Sequence, residues 1–199
     1  EVLSYTHKNE IPVFFAGSGS NLLVSDEGFN GVVITLQKTF KKLKISDDGT
    51  ISVDAGVMLG NMVKHAIKSG IKGLESLIGV PGTVGGALIM NAGAFGSEIS
   101  NYFENALVLT SSGETKKYTK EHVSFSYRTS TFPKDEILIS AVFNCEMGYA
   151  EDIQKDKLDA SKKRKENQPL KFRSAGSIFK NPNSQFAAGY LIDKAGLKG

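Results

Sequence analysis

Four short segments of the sequence carry residue types that can do chemistry. The first, Gly17-Ser18-Gly19-Ser20-Asn21, sets a glycine-rich loop directly after an apolar run. Consecutive backbone N–H groups in such a loop can converge on one point and hold a phosphate, and Ser18, Ser20 and Asn21 add side-chain donors. It is not the dinucleotide fingerprint, because Leu22 stands where the third glycine belongs, and not a P-loop, because no Gly-Lys-Ser/Thr follows. Taken alone it reads equally as a tight turn or as a pyrophosphate cradle.

The second runs from Gly79-Val80-Pro81-Gly82-Thr83-Val84-Gly85-Gly86 to Asn91-Ala92-Gly93-Ala94-Phe95-Gly96. Each glycine in a regular element costs roughly 0.5–1 kcal/mol. Two reasons for keeping so many are a flat or phosphorylated ligand close to the backbone and crowded helix–sheet packing. In the third, Phe125-Ser126-Tyr127-Arg128, the aromatics either hold a guanidinium for carboxylate recognition or make a structural cation–π pair. The fourth is Ser174-Ala175-Gly176-Ser177-Ile178-Phe179-Lys180-Asn181-Pro182, where small residues beside Ser177 leave room for a substrate. A serine nucleophile needs a histidine base. His7, His65 and His122 sit in unpromising contexts and no Gly-x-Ser-x-Gly elbow occurs, which argues against a hydrolase. No cluster of His, Cys or carboxylates has metal-ligand spacing, so no metal is expected.

The elements that must position these segments are legible in outline. Ile11 to Phe15, Leu22-Leu23-Val24 and Gly31 to Leu36 read as strands, and Leu43–Ser46 with Thr50–Val53 as a hairpin about Asp47-Asp48-Gly49. Leu59, Met62, Val63, Ala66 and Ile67 recur at helical spacing before Gly70. A second hairpin spans Ala106 to Tyr118, and Ile137 to Cys145 is a further strand that buries the single cysteine as a core thiol. Ala150 to Asn167 is a charged, solvated helix that opens after a composition shift at Gly148 to Glu151, and Ala187 to Ala195 is a short helix closed by Gly196. Strands and helices in mixed order make the class α+β.

With 199 residues, 40% hydrophobic and 23% charged, the chain suits one large domain or two small ones. A net charge of +3 is too mild for a nucleic-acid partner. The longest apolar stretch, Ile78 to Phe95, holds five glycines and a proline and is a poor membrane span. With no signal peptide at Glu1-Val2-Leu3-Ser4 and one cysteine, a cytoplasmic protein is expected.

In order, Ala16 to Val24, Pro81 to Gly86, Met90 to Ile99, Tyr127-Arg128, Gln168-Pro169-Leu170 with Ser174 to Pro182, and Gly189 to Gly199 resemble the UDP-N-acetylenolpyruvoylglucosamine reductase family along nearly the whole chain. The resemblance implies a vanillyl-alcohol-oxidase-type FAD-binding module in two subdomains, residues 1–40 and 41–149, followed by the start of a substrate-binding domain at 150–199. It implies FAD held by Gly17, Ser18, Gly19, Ser20, Asn21, Pro81, Gly82, Gly85, Gly86, Asn91 and Gly93, with NADPH as co-substrate and a UDP-sugar as substrate. Hydride transfer to C3 of an enolpyruvyl group would leave enolate-like charge that Arg128 stabilises, and Ser177 would protonate C2. Asn181 matches a substrate-binding position, and Lys165 or Arg164 would reach the diphosphate.

The resemblance also marks departures. Arg173 stands where the family usually has proline. Family members are roughly half as long again, so the chain is expected to lack an N-terminal segment and a C-terminal part that carries the family's catalytic glutamate. Two alternatives to the reductase stay open: an inactive module that binds FAD or a UDP-sugar, and another FAD-dependent oxidoreductase of the same fold.

Overall fold

The structure is a computed structural model that describes residues 1–168, 176–183 and 185–197. The chain divides into two compact units, Glu1–Ser161 and Lys162–Gly199. The expected positions Pro169, Leu170, Arg173, Ser174, Ala175, Lys198 and Gly199 lie outside the described residues.

In the first unit, helix α1 (Val2–Lys8) leads into strand β1 (Val13–Ala16), which pairs in parallel with β2 (Val32–Thr35), Phe14 opposite Val33. The loop between them departs from expectation. Leu22–Val24 forms no strand: the Leu22 N–H donates to Gly19 O in a turn at 3.3 Å, and Leu23 is fully exposed. Three apolar residues with no partner strand cannot satisfy their backbone groups as a ladder.

The body of the unit is a five-stranded antiparallel sheet. Its spatial order is β3 (Leu43–Ile45), β4 (Thr50–Asp54), β12 (Ile137–Asn144), β8 (Phe103–Leu109) and β9 (Thr115–Thr119). The β3–β4 hairpin turns at Gly49, whose φ of 88 and close approach to Cys145 O exclude a side chain. Ile51 and Val53 point inward while Ser52 faces water, the two-residue alternation of a half-buried sheet. Helix α2 (Leu59–Lys68) buries Leu59, Met62, Val63, Ala66 and Ile67 in the same core, and Gly70 closes it at φ 74. β5 (Ile71–Lys72) follows.

Helix α3 (Val84–Ile89) lies inside the glycine-rich segment, where composition argued against regular structure. It is held by packing: a side chain on Gly85 would sit 2.9 Å from the Ala55 Cβ, and the Gly85 N–H donates to Ala55 O at 2.9 Å. Crowded packing is thus present at this glycine. Beyond it β6 (Gly93–Ala94) and β7 (Ser97–Glu98) make a hairpin with Phe95 and Gly96 both at positive φ, 53 and 88.

β8 and β9 form the second expected hairpin, and the short pair β10 (Phe125–Ser126) and β11 (Thr129–Ser130) presents Tyr127 and Arg128 at its tip. Phe125 and Phe132 pack edge-on against the buried Phe103, at 5.2 and 6.0 Å between ring centroids, which ties this hairpin to the sheet. β12 is the central strand, and β13 (Glu146–Met147) pairs with β5. Helix α4 (Ala150–Asn167) buries Ile153 and Ala160; the unit boundary falls within it. The second unit contains α5 (Ala188–Lys194).

Candidate active site

In the first unit, one cleft of about 640 Å³ gathers segments far apart in sequence. One wall is the loop from Gly17 to Leu22, and a second is the run Val80 to Thr83 with Gly85 and Gly86. Ala92, Gly93 and Arg128 stand between that run and a third wall of Phe132, Pro133, Lys134, Glu136, Ile137 and Leu138 in the chain. Strand β1 with Leu36, Gln37, Ala55, Gly56, Ala87, Ile89 and Met90 completes the lining.

The two glycine segments meet at this cleft. A Cβ on Gly17 would lie 2.6 Å from Thr83 Oγ1, and one on Gly82, at φ 123, would lie 3.4 Å from Ser20 Oγ. Thr83 also caps α3, its Oγ1 accepting from the Gly86 N–H at 3.3 Å. Among the described residues, no acceptor takes the N–H groups of Ser18, Gly19, Ser20 or Asn21. Consecutive unclaimed donors on one loop are the arrangement that holds an anion.

Arg128 faces the same cleft from the tip of the β10–β11 hairpin. Its φ is 57, a left-handed conformation that few non-glycine residues adopt. Its Nη2 donates to Gly93 O at 2.9 Å, and the guanidinium carbon lies 5.1 Å from the Tyr127 ring centroid. Both readings of the Tyr127-Arg128 pair are thus compatible with its geometry. Among the described residues Arg128 makes no ion pair.

Of the residues expected at the cofactor, Gly17, Ser18, Gly19, Ser20, Asn21, Pro81, Gly82, Gly85, Gly86 and Gly93 line this cleft. Asn91 does not. It is fully buried behind the wall, its amide donating to Glu98 Oε2 at 2.7 Å and Ser126 O at 3.1 Å. The wall from Phe132 to Leu138 went unread in the sequence, where Ile137 to Cys145 signalled only a strand.

Ser177, Asn181 and Lys165 belong to the second unit, and all three are exposed. Asn181 Oδ1 accepts from the Ala188 N–H at 3.0 Å, which fixes the start of α5. Burial holds the Arg164 guanidinium below its ordinary value. His7, His65 and His122 are exposed, and among the described residues no group of three His, Cys, Asp or Glu could hold a metal. No helix among them is long and apolar enough to cross a membrane.

A family model described as an FAD binding domain matches residues 1–119, and one for the C-terminal domain of UDP-N-acetylenolpyruvoylglucosamine reductase matches residues 168–199. The UDP-N-acetylenolpyruvoylglucosamine reductase of Clostridium tetani is 43% identical over 100% of this chain and 64% of its own length. That of Caldicellulosiruptor bescii is 42% identical, with 63% of its length covered. The chain therefore spans less than two thirds of these relatives. The crystal structure of the enzyme from Thermus caldophilus matches with a TM-score of 0.82 at 36% identity, over 98% of this chain and 70% of that one. A 6-hydroxy-D-nicotine oxidase from Arthrobacter nicotinovorans, at 16% identity and a TM-score of 0.54 over 73% of this chain and 33% of its own, shares the fold alone.

Proposed function

The chain belongs to the UDP-N-acetylenolpyruvoylglucosamine reductase family, and on that premise we propose that it holds FAD in the cleft of its first unit and serves the NADPH-dependent reduction of UDP-N-acetylglucosamine enolpyruvate to UDP-N-acetylmuramate. Its fold is α+β, a vanillyl-alcohol-oxidase-type FAD-binding module. Residues 1–40 and 41–149 are then the flavin-binding subdomains and 150–199 the start of the substrate-binding domain, in a cytoplasmic enzyme of peptidoglycan precursor synthesis.

One observation carries the reading: four consecutive backbone donors without a protein acceptor among the described residues, Ser18 to Asn21, share a cleft with the Arg128 guanidinium. The fit to FAD is good on this ground. The amides suit its diphosphate, and the apolar walls from Val80 and Phe132 suit its flat rings. Bound there, FAD would supply the hydride-accepting and hydride-donating chemistry that no side chain offers.

The chain's own residues do the rest. Gly93 O holds the Arg128 fork in place, so its charge is oriented before a substrate carboxylate arrives. Hydride addition at C3 of the enolpyruvyl group leaves enolate charge beside that carboxylate, and a preorganised cation of this kind contributes about 3–4 kcal/mol. Ser177 donates the proton to C2 as general acid. Asn181 and Lys165 give an amide and a cation to the sugar nucleotide.

The test is the visible spectrum of the protein before and after adding NADPH and then the enolpyruvyl sugar nucleotide without oxygen. A flavin band that bleaches with NADPH and recovers with the sugar supports the reading. A flavin that bleaches but recovers only with another acceptor makes the chain a different oxidoreductase of this fold. A flavin or UDP-sugar bound without turnover makes it a binding module.

A further inference from the structure

We propose that Asn91 and Glu98 are positioning residues that set the Arg128 guanidinium for an incoming carboxylate; the purpose of that setting rests on the function proposed above. Asn91 and Gly93 lie two residues apart on one segment, Ser126 and Arg128 two apart on another. The segments are clasped reciprocally: the Asn91 side chain donates to Ser126 O at 3.1 Å, and the Arg128 side chain donates to Gly93 O at 2.9 Å. Glu98 Oε2 takes the Asn91 amide at 2.7 Å and fixes its orientation. A reversed amide would turn its oxygen against both a carboxylate and a carbonyl.

Glu98 also reaches the guanidinium's footing. Its Cγ lies 2.8 Å, and Arg128 Nη1 3.4 Å, from where a Gly93 Cβ would stand, so both side chains pack on that one α-carbon. Two features distinguish this clasp from an ordinary hairpin staple. Asn91 Oδ1 is buried with no donor among the described residues. Asn91 at φ 41, Phe95 at φ 53 and Arg128 at φ 57 are three of the four non-glycine residues with positive φ among those described. Strain and an orphaned acceptor kept together are the mark of a site built for placement.

The test uses the protein labelled with ¹⁵N-arginine and free of cofactor, with the Arg128 side-chain signal identified by its loss in Arg128→Lys. Asn91→Ala and Glu98→Ala should speed solvent exchange of the Arg128 side-chain protons at least about tenfold while backbone amide dispersion stays native. Glu98→Gln, which keeps an acceptor oxygen, should exchange like the parent. In FAD-loaded full-length protein, Glu98→Ala should leave bleaching by NADPH within about twofold and slow recovery with the enolpyruvyl sugar about tenfold, with Glu98→Gln restoring it. Unchanged Arg128 exchange in both alanine variants overturns the proposal, as does Glu98→Gln behaving like Glu98→Ala. If Glu98→Ala loses its native dispersion, Asn91→Ala and Glu98→Gln decide by the same criteria. A parent that binds no FAD would sink the proposed function, while the exchange measurement would still decide the clasp.

Discussion

Arg128 is anchored to Gly93 by one hydrogen bond, Nη2 to the carbonyl oxygen at 2.9 Å, and Gly93 has no room for a side chain. A Cβ there would come within 2.8 Å of Glu98 Cγ and 2.9 Å of Ser97 O. The backbone oxygen cannot step aside as a side-chain end can. Gly93→Ala should therefore destabilise the fold by about 1–3 kcal/mol, the usual range for overpacking. Urea unfolding measures this, and an unchanged midpoint would show that the β6–β7 hairpin yields freely.

The conformation of Arg128 separates stability from activity. At φ 57 a non-glycine residue is strained, and glycine is not. Arg128→Gly should leave stability within about 1 kcal/mol, because relief of strain offsets the lost hydrogen bond. The same change should lower recovery of the reduced flavin with substrate by about 10²–10³-fold in the full-length protein. A variant that turned over normally would remove Arg128 from the mechanism.

Gly17 tests the cleft wall proposed to hold FAD. Its missing Cβ would lie 2.6 Å from Thr83 Oγ1, so Gly17→Ala must part the two glycine segments or disturb the cap of α3. FAD affinity should fall about tenfold or more, equivalent to about 1.4 kcal/mol. Adding Thr83→Ala removes the clash, so the double variant should bind more tightly than the sum of the single effects allows. Titration of flavin fluorescence reads all three, and strict additivity would mean that the segments do not touch where FAD binds.

What could be read from the sequence was mostly local. The Leu59-Met62-Val63-Ala66-Ile67 spacing is a helix because its apolar side chains share one face, and they are the buried ones. The charged run from Ala150 to Asn167 is likewise a helix. Leu22–Val24 misled because apolar character without a partner strand makes no ladder. Helix α3 stayed hidden because its glycines lower local propensity, and the contact of Gly85 with Ala55 that compensates is tertiary. The resemblance put Asn91 among the cofactor residues, but residue type carries no direction, and the buried amide turns to Glu98. The Phe132–Leu138 wall is non-local in the same sense, made only when β12 takes its place in the sheet.

Cys145 gives a prediction that is independent of any cofactor. It is 5% exposed, and burial together with the nearby Glu75 charge pushes its thiol from 9.0 up to about 12. The folded state therefore keeps the proton that the unfolded chain releases above about pH 9. By linkage, this group's contribution is constant below about pH 9 and is lost as pH rises from about 9 to about 12. Cys145→Ala should flatten that part of the alkaline stability loss, although it also leaves a small cavity that lowers stability at every pH. Tyr118 adds to the same slope, since its hydroxyl donates to Glu136 Oε2 at 2.8 Å and its pKa is raised by that bond. Some alkaline loss should accordingly persist in Cys145→Ala and shrink further with Tyr118→Phe. At about pH 8 iodoacetamide should label the thiol in urea and not in the native protein, because the nucleophile is the thiolate. Native labelling at the rate of a free thiol would mean that β12 opens at its end, and the pH argument would fall with it.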